Sequence, residues 1–242
     1  MISLAAASQV GPRDENEDVV VLGGLMSAGD LVSSVGMTLS ILEPQLVAVV
    51  DGMGGQFGGS NAGRIVGRTL ARQTWERCDE AAVAELLRSA NAAVYAAMDG
   101  QPLLRGMGAT IAGLVVTQGT AVVFNVGDAR VYQHAEGFSV LLTVDDRSAS
   151  ASNVITQSLG GADRPTAIRP HFRHVDVSAG GRFLVCSDGL SDYIPFALIQ
   201  ESMCGPTPCD ALNALLEHVS SAVARENVSA VVLDVPSVKE PQ

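Results

Sequence analysis

The chain has 242 residues, 47% hydrophobic but only 4% aromatic, so aliphatic side chains must fill its core. A formal net charge of −11 argues against a nucleic-acid binder. No apolar run approaches the ~20 residues needed to cross a bilayer, and the N-terminal stretch MISLAAASQVGPR is short and lacks the basic start of a signal peptide.

Four scattered cysteines (Cys78, Cys186, Cys204, Cys209) have neither zinc-site spacing nor the look of a disulfide framework. They read as buried thiols, and a soluble cytoplasmic protein is expected. The length suits one large domain or two small ones. Nothing marks a boundary, so a single domain over 1–242 is expected, with 237–242 as a flexible tail.

In chain order, Ile2 to Gln9 reads as a first strand. A polar stretch, Gly11 to Asp18, leads into the apolar run 19–22. Residues 23–36 are rich in Gly and Ser and read as a loop. Thr38 to Leu42 and Leu46 to Asp51 read as strands separated by Pro44. Helices are expected over Asn61 to Arg77 and, capped by Asp79, over Glu80 to Met98. Short strands follow at 110–117, 121–126, 129–134 and 139–142, with hairpin signals at Gln118-Gly119 and Glu136-Gly137. Residues 147–153 read as a polar link of small residues. A strand at 183–186, helices at 194–203 and 208–225, and a last strand at 228–235 complete the chain. This alternation of strand runs and helix pairs predicts an α+β fold.

The stretch Leu46 to Gly63, LVAVVDGMGGQFGGSNAG, stands out. A buried strand ends on Asp51 and opens into Gly52, Gly54, Gly55, Gly58 and Gly59. Ser60 or Asn61 is then placed to cap a helix. An acid at a strand tip beside a wide glycine loop suits a metal site that handles phosphate. A tight strand-to-helix turn would have the same composition. A nucleotide-binding loop is disfavoured, because no Lys-Ser/Thr follows the glycines.

Acids recur at strand ends: Glu17 and Asp18, Asp51, Asp128, Asp188 and Glu226. Antiparallel pairing brings the end of one strand to the start of its neighbour, so these acids could converge on one sheet edge. Converging carboxylates repel unless cations hold them, and hard oxygen donors favour Mg²⁺ or Mn²⁺ over zinc. Any one of them alone would read as a solvated turn residue.

The chain resembles the metal-dependent Ser/Thr protein phosphatase family (type 2C, PPM class) in its bacterial form. The resemblance rests on motifs in family order along nearly the whole chain: Arg13-x-x-Asn16-Glu17-Asp18, Val50-Asp51-Gly52-Met53-Gly54-Gly55, Gly106-Met107-Gly108-Ala109-Thr110, Asn125-Val126-Gly127-Asp128-Ala129-Arg130, Leu142-Thr143-x-Asp145, Ile155-Thr156-Gln157-Ser158-Leu159-Gly160, Cys186-Ser187-Asp188-Gly189-Leu190 and Glu226-Asn227-Val228-Ser229. It implies two stacked antiparallel β-sheets flanked by antiparallel helix pairs, an α-β-β-α sandwich.

By the same resemblance, Asp51 would bridge two Mn²⁺ or Mg²⁺ ions and the Gly52 carbonyl would ligate one. Asp188 and Glu226 would hold the first, and Glu17 and Asp18 would sit at the second. Asp128 with Asp188 would bind a weaker third ion. Arg13 would clamp the substrate phosphate, a task suited to guanidinium geometry. A water acidified between the metals would attack phosphorus, so Arg13, Asp51 and Asp188 are the implied catalytic set. No Cys-centred phosphatase loop is visible. The implied partner is a phosphorylated protein, and by extension a Ser/Thr kinase or its targets, with neither nucleic acid nor membrane involved. The protein is expected to act as a monomer.

Five positions depart from the family pattern. Glu226 stands where Asp is usual, and Ala129 stands for a serine. The usual Asp-His-Ser is Asp145-Asp146-Arg147, and Gln157 stands for an arginine. Only Arg147 to Val154 remain where the family carries a helical flap, so the flap is expected to be nearly absent. A catalytically silent, phosphoprotein-binding relative is the alternative that Glu226 and the lost flap favour.

Other residues read more plainly. His171 and His174, with Arg169 and Arg173, are expected to decorate a strand or loop rather than bind metal. His134 and His218 read as surface or core residues. Trp75 and Tyr95 are expected to pack the helix pair, and Arg64, Arg68 and Arg72 to form a solvated helix face.

Overall fold

The protein was analysed as a computed structural model that describes residues 1–27, 29–75, 77–222 and 224–238. The first half runs β1 (Ile2–Gln9), β2 (Val19–Leu22), β3 (Leu25–Met26), β4 (Leu31–Leu39), β5 (Gln45–Met53), α1 (Gly55–Ala71) and α2 (Glu80–Met98). It continues through β6 (Gly108–Thr117), β7 (Thr120–Val126), β8 (Arg130–Ala135), β9 (Phe138–Leu141), β10 (Arg147–Ser148), β11 (Ala151–Ile155), β12 (Leu159–Gly160) and β13 (His171–Asp176). The last elements are β14 (Gly181–Cys186), α3 (Asp188–Ser191), α4 (Phe196–Ser202), α5 (Pro208–Ser221) and β15 (Val228–Val235).

Two antiparallel sheets stack face to face. One has the order β4-β1-β15-β14-β8-β9; the other has the order β13-β7-β6-β5-β2-β3, with β12 added beside β6. Strand residues alternate between two cores. On β5, Val47 and Val49 point into the layer between the sheets, and Leu46, Ala48 and Val50 point toward α1 and α2. On β15, Val231, Leu233 and Val235 face the inter-sheet layer, and Ala230 and Val232 pack with Leu212 and Leu215 of α5. Central strands covered on both faces read as unbroken apolar runs, although side chains still alternate with period two. Each fully buried aliphatic side chain contributes about 1.5–3 kcal/mol, so these two-sided strands are the main source of stability. The expected α-β-β-α sandwich is the observed one.

Three local expectations need correction. The glycine stretch is not a wide loop: α1 already begins at Gly55, and Gly54 (φ 129°) occupies its N-cap. Only glycine fits there, because a Cβ would meet the Met107 Cα at 2.7 Å. Ser60 and Asn61 therefore lie inside the helix, past its N-terminus. Residues 31–36, read as loop, belong with the start of the expected 38–42 strand to one edge strand, β4, paired with β1. The link after Arg147 is a short hairpin, in which β10 pairs with β11.

Other expectations hold. Asp79 caps α2, its Oδ1 accepting the Ala82 N–H at 2.8 Å. The Tyr95 hydroxyl ties α2 to the Gly160 carbonyl at 3.0 Å, and Trp75 packs at the margin of the helix core. His171 and His174 lie on β13, beside Asp146 and Glu80 respectively. Of the tail, residues 239–242 lie outside the described residues.

Candidate functional site

The acids singled out in the sequence gather at one end of the sandwich, where both sheets terminate. Asp51 closes β5. Asp18 precedes β2, whose Val19 pairs with Val50, so register sets Asp18 beside Asp51. From the other sheet, Asp188 follows β14 and Glu226 precedes β15, two adjacent antiparallel strands. Asp128 sits in the turn from β7 to β8, where the chain passes from one sheet to the other. A cleft of about 920 Å³ opens there, lined by Arg13, Glu17, Asp51, Gly52, Asp128, Arg147, Asp188 and Glu226, among others.

Close backbone packing holds these residues. Gly59 of α1 faces Glu17, and a Cβ at that position would run into the Glu17 carboxyl. Gly52 is pressed between the Gly59 and Glu17 carbonyls, and Gly189 against the Asn227 carbonyl. The glycines thus serve close approach between α1 and the segment bearing Glu17. Asn227 accepts the Glu17 N–H at 2.9 Å and donates to the carbonyls of Val10 (2.8 Å) and Glu15 (2.9 Å), which moors the 10–17 segment. Beneath the cleft, Ser187 donates to Asp18 Oδ2 at 3.0 Å and accepts the Ser229 N–H at 3.0 Å.

The electrostatics are strained. Removal from bulk water pushes the Asp51 carboxyl well above its ordinary range, and the charges of Asp18, Asp188 and Asp128 push it further. Burial likewise raises Asp18, with Asp188 adding repulsion against the hydrogen bonds from Ser229 and Ser187. Asp188 is raised by burial and then by Asp128 and Asp192. Burial raises Glu17 and Asp128, although Arg13 and Arg147 respectively pull them back. Asp18 Oδ1 is buried without any hydrogen-bond partner, as is Thr110 Oγ1. An orphaned carboxylate oxygen beside mutually repelling carboxylates fits the donor set of a hard divalent cation. Among the described residues, however, no three Asp, Glu, His or Cys side chains close into a ready-made cage.

Two arginines meet these acids. Arg13, about half exposed, pairs with the Glu226 carboxylate, and its Nε donates to the Arg225 carbonyl at 2.9 Å. Arg147, from the start of the hairpin, reaches Asp128 Oδ2 at 2.7 Å, Asp192 Oδ2 at 2.6 Å and Asp188 Oδ2 at 3.4 Å.

Sequence reasoning missed Asp192 and the function of Asp146. Asp146 accepts the Gly127 N–H at 2.9 Å and the Gln157 amide at 2.8 Å on one oxygen, and meets His171 Nε2 at 2.8 Å on the other. It therefore braces the turn that carries Asp128. Gln157 and His171 stood out in the sequence without this link, which only tertiary contact reveals.

The fold is thus an α-β-β-α sandwich with an acid-lined cleft at the shared end of its two sheets, a donor set that suits hard divalent cations. The sequence model of the protein phosphatase 2C family matches residues 40–232, and the chain belongs to that family. The serine/threonine protein phosphatase PstP of Mycobacterium tuberculosis is 28% identical over 211 residues, 79% of this chain and 40% of that protein. The chain thus spans less than half the length of that curated relative. The crystal structure of the Mycobacterium tuberculosis phosphatase PstP/Ppp superposes with a TM-score of 0.80 at 26% identity, covering 98% of this chain and all of that one. A PstP catalytic domain in complex with two manganese ions gives 0.79 at 27% identity, with the same coverage.

Proposed function

We propose that the protein is a metal-dependent phosphoprotein phosphatase that hydrolyses phosphoserine and phosphothreonine. The observation that carries this reading is the meeting of Asp18, Asp51, Asp128 and Asp188 from both sheets, with an Asp18 oxygen left unpaired. Membership of the phosphatase 2C family and the two manganese ions of the PstP catalytic domain support it.

In this reading Glu17, Asp18, Asp51, the Gly52 carbonyl, Asp188 and Glu226 would hold two Mn²⁺ or Mg²⁺ ions. The bound cations supply the Lewis acidity for phosphate-ester hydrolysis. Arg13 receives the substrate phosphate at the mouth of the cleft, exchanging Glu226 for a bidentate phosphate. Asp146 keeps the Asp128 turn in place. The substrate is a phosphorylated protein, and a Ser/Thr kinase or its targets are the natural partners. Free thiols at Cys78, Cys186, Cys204 and Cys209 support a reducing cytoplasm, and no described helix is long and apolar enough to cross a membrane.

A second reading, a silent relative that binds phosphoproteins, is favoured by one observation: Glu226 engages Arg13. Hydrolysis of p-nitrophenyl phosphate and of a phosphothreonine peptide, each with and without Mn²⁺, separates the two. Mn²⁺-dependent turnover of both is expected. Binding of the phosphopeptide without turnover would establish the silent form.

A further inference from the structure

Arg147 is a guanidinium set deep among the cleft acids. Its side chain is 16% exposed, and the Asp128 carboxylate that it grips is 3% exposed. Its three nitrogens address three acids: Nε bonds Asp128, Nη1 pairs with Asp192 and Nη2 with Asp188. Asp145 lies 4.0 Å from Nε and is itself held by Arg130 at 2.6 Å. Four aspartates, Asp128, Asp145, Asp188 and Asp192, thus face two arginines.

A guanidinium stays charged at any physiological pH, and its planar fork serves several carboxylates at once. Buried carboxylates demand such a partner. Arg147 stands where the family pattern has the serine of Asp-His-Ser, so this cation is a feature of this chain.

Resting on the proposed reading of the acids as a metal centre, we infer that Arg147 is a resident cation that fills the Asp128–Asp188–Asp192 recess and excludes a divalent ion from it. The centre therefore takes up two divalent ions at Asp51 and none between Asp128 and Asp188. A guanidinium nitrogen 2.7 Å from Asp128 Oδ2 occupies the place of a ligated metal, and two cations cannot share that oxygen without strong repulsion. Arg147 is here a positioning residue. Because it begins β10, the same contacts anchor the hairpin at the rim of the cleft.

The test is a count of Mn²⁺ bound per chain, by calorimetric titration and by metal analysis after equilibrium dialysis. Wild type should bind two. Arg147→Ala should bind a third, weaker equivalent, and Arg147→Lys, which keeps a positive charge, should return toward two. Thermal denaturation gives a second readout: without metal, Arg147→Ala should melt below wild type, and excess Mn²⁺ should close more of that gap than excess NaCl at equal ionic strength. Three ions in wild type would overturn the inference, even if the variants fail to fold. So would an equal, non-zero count in wild type and Arg147→Ala. If neither protein binds Mn²⁺, the metal-centre reading itself falls, and this inference falls with it.

Discussion

At the mouth of the cleft the Arg13 guanidinium is paired with the Glu226 carboxylate, so the residue proposed to receive a substrate phosphate is already in contact with an acid proposed to hold metal. Arg13 is 51% and Glu226 37% exposed, and an exposed ion pair of this kind contributes only about 0–1 kcal/mol. A doubly charged phosphate taken bidentately is stronger, so the pair is expected to open on substrate binding.

This relationship gives the Glu226→Asp prediction. Asp shortens the arm by one methylene and weakens the hold on Arg13. Turnover should be kept, Mn²⁺ should bind at least as tightly, and KM for a phosphopeptide should fall by up to about fivefold, the value of a ~1 kcal/mol pair. Arg13→Ala should raise KM with little change in kcat. Steady-state kinetics with Mn²⁺ titration check both. A tenfold loss of kcat/KM in the Asp variant would mean that the backbone around 225–227 is fitted to Glu.

Asp51→Asn and Asp188→Asn should each abolish Mn²⁺-dependent hydrolysis while the fold survives. Asp51 is pushed up first by desolvation and then by three neighbouring aspartates, so removing one charge relieves repulsion. Without metal these variants should melt slightly above wild type, by roughly 2–4 °C if the relief is about 1 kcal/mol in a chain of this size. With Mn²⁺ the order should reverse, since the wild type gains binding energy that the variants lack. Differential scanning calorimetry with and without Mn²⁺ measures both. Near wild-type turnover in either variant would overturn its assignment.

Gly189→Ala should be costly despite its small size. An added Cβ would collide with the Asn227 carbonyl and lie 3.2 Å from the Glu226 Cβ. Overpacking of this kind costs about 1–3 kcal/mol. Because Asn227 moors the segment bearing Glu17, the variant should also lose Mn²⁺ affinity. Thermal melting and Mn²⁺ titration report the two losses. An unchanged melting temperature would mean that the α3–β15 contact can move apart freely.

How much of this was legible beforehand follows from burial. The strands Ile2–Gln9 and Val228–Val235 were readable to the residue, because apolar cores on both faces leave an uninterrupted signal. The edge strands were not. β4 (LVSSVGMTL) and β13 (HFRHVD) carry polar or small residues where one side meets solvent. The start of α1 was misread because its glycines serve contact with Glu17 and Met107, whereas composition alone suggests a loop. The acids were legible as strand ends. The hold of Arg147 on two of them, Asp128 and Asp188, and on Asp192 was not, since it depends on a hairpin folding back across the turn at Asp128.

That hairpin shapes the last prediction. Where the family carries a helical flap, this chain keeps only the β10–β11 hairpin, with Arg147 and Ile155 at the rim of the cleft. Its base is fixed: the Thr156 N–H donates to the Asp146 carbonyl at 2.8 Å, and the Asp146 N–H to the Gly127 carbonyl at 2.9 Å. Lids beside active sites add substrate contacts and exclude water. A short hairpin anchored to the metal-side turn offers few such contacts to residues flanking a phosphate. Across a varied set of phosphopeptides, kcat/KM should therefore stay within about tenfold, or ~1.4 kcal/mol in transition-state binding. Selectivity would then come from docking away from the cleft or from being held near a kinase. A spread of several hundredfold set by the residues next to the phosphate would show that the hairpin reads local sequence after all.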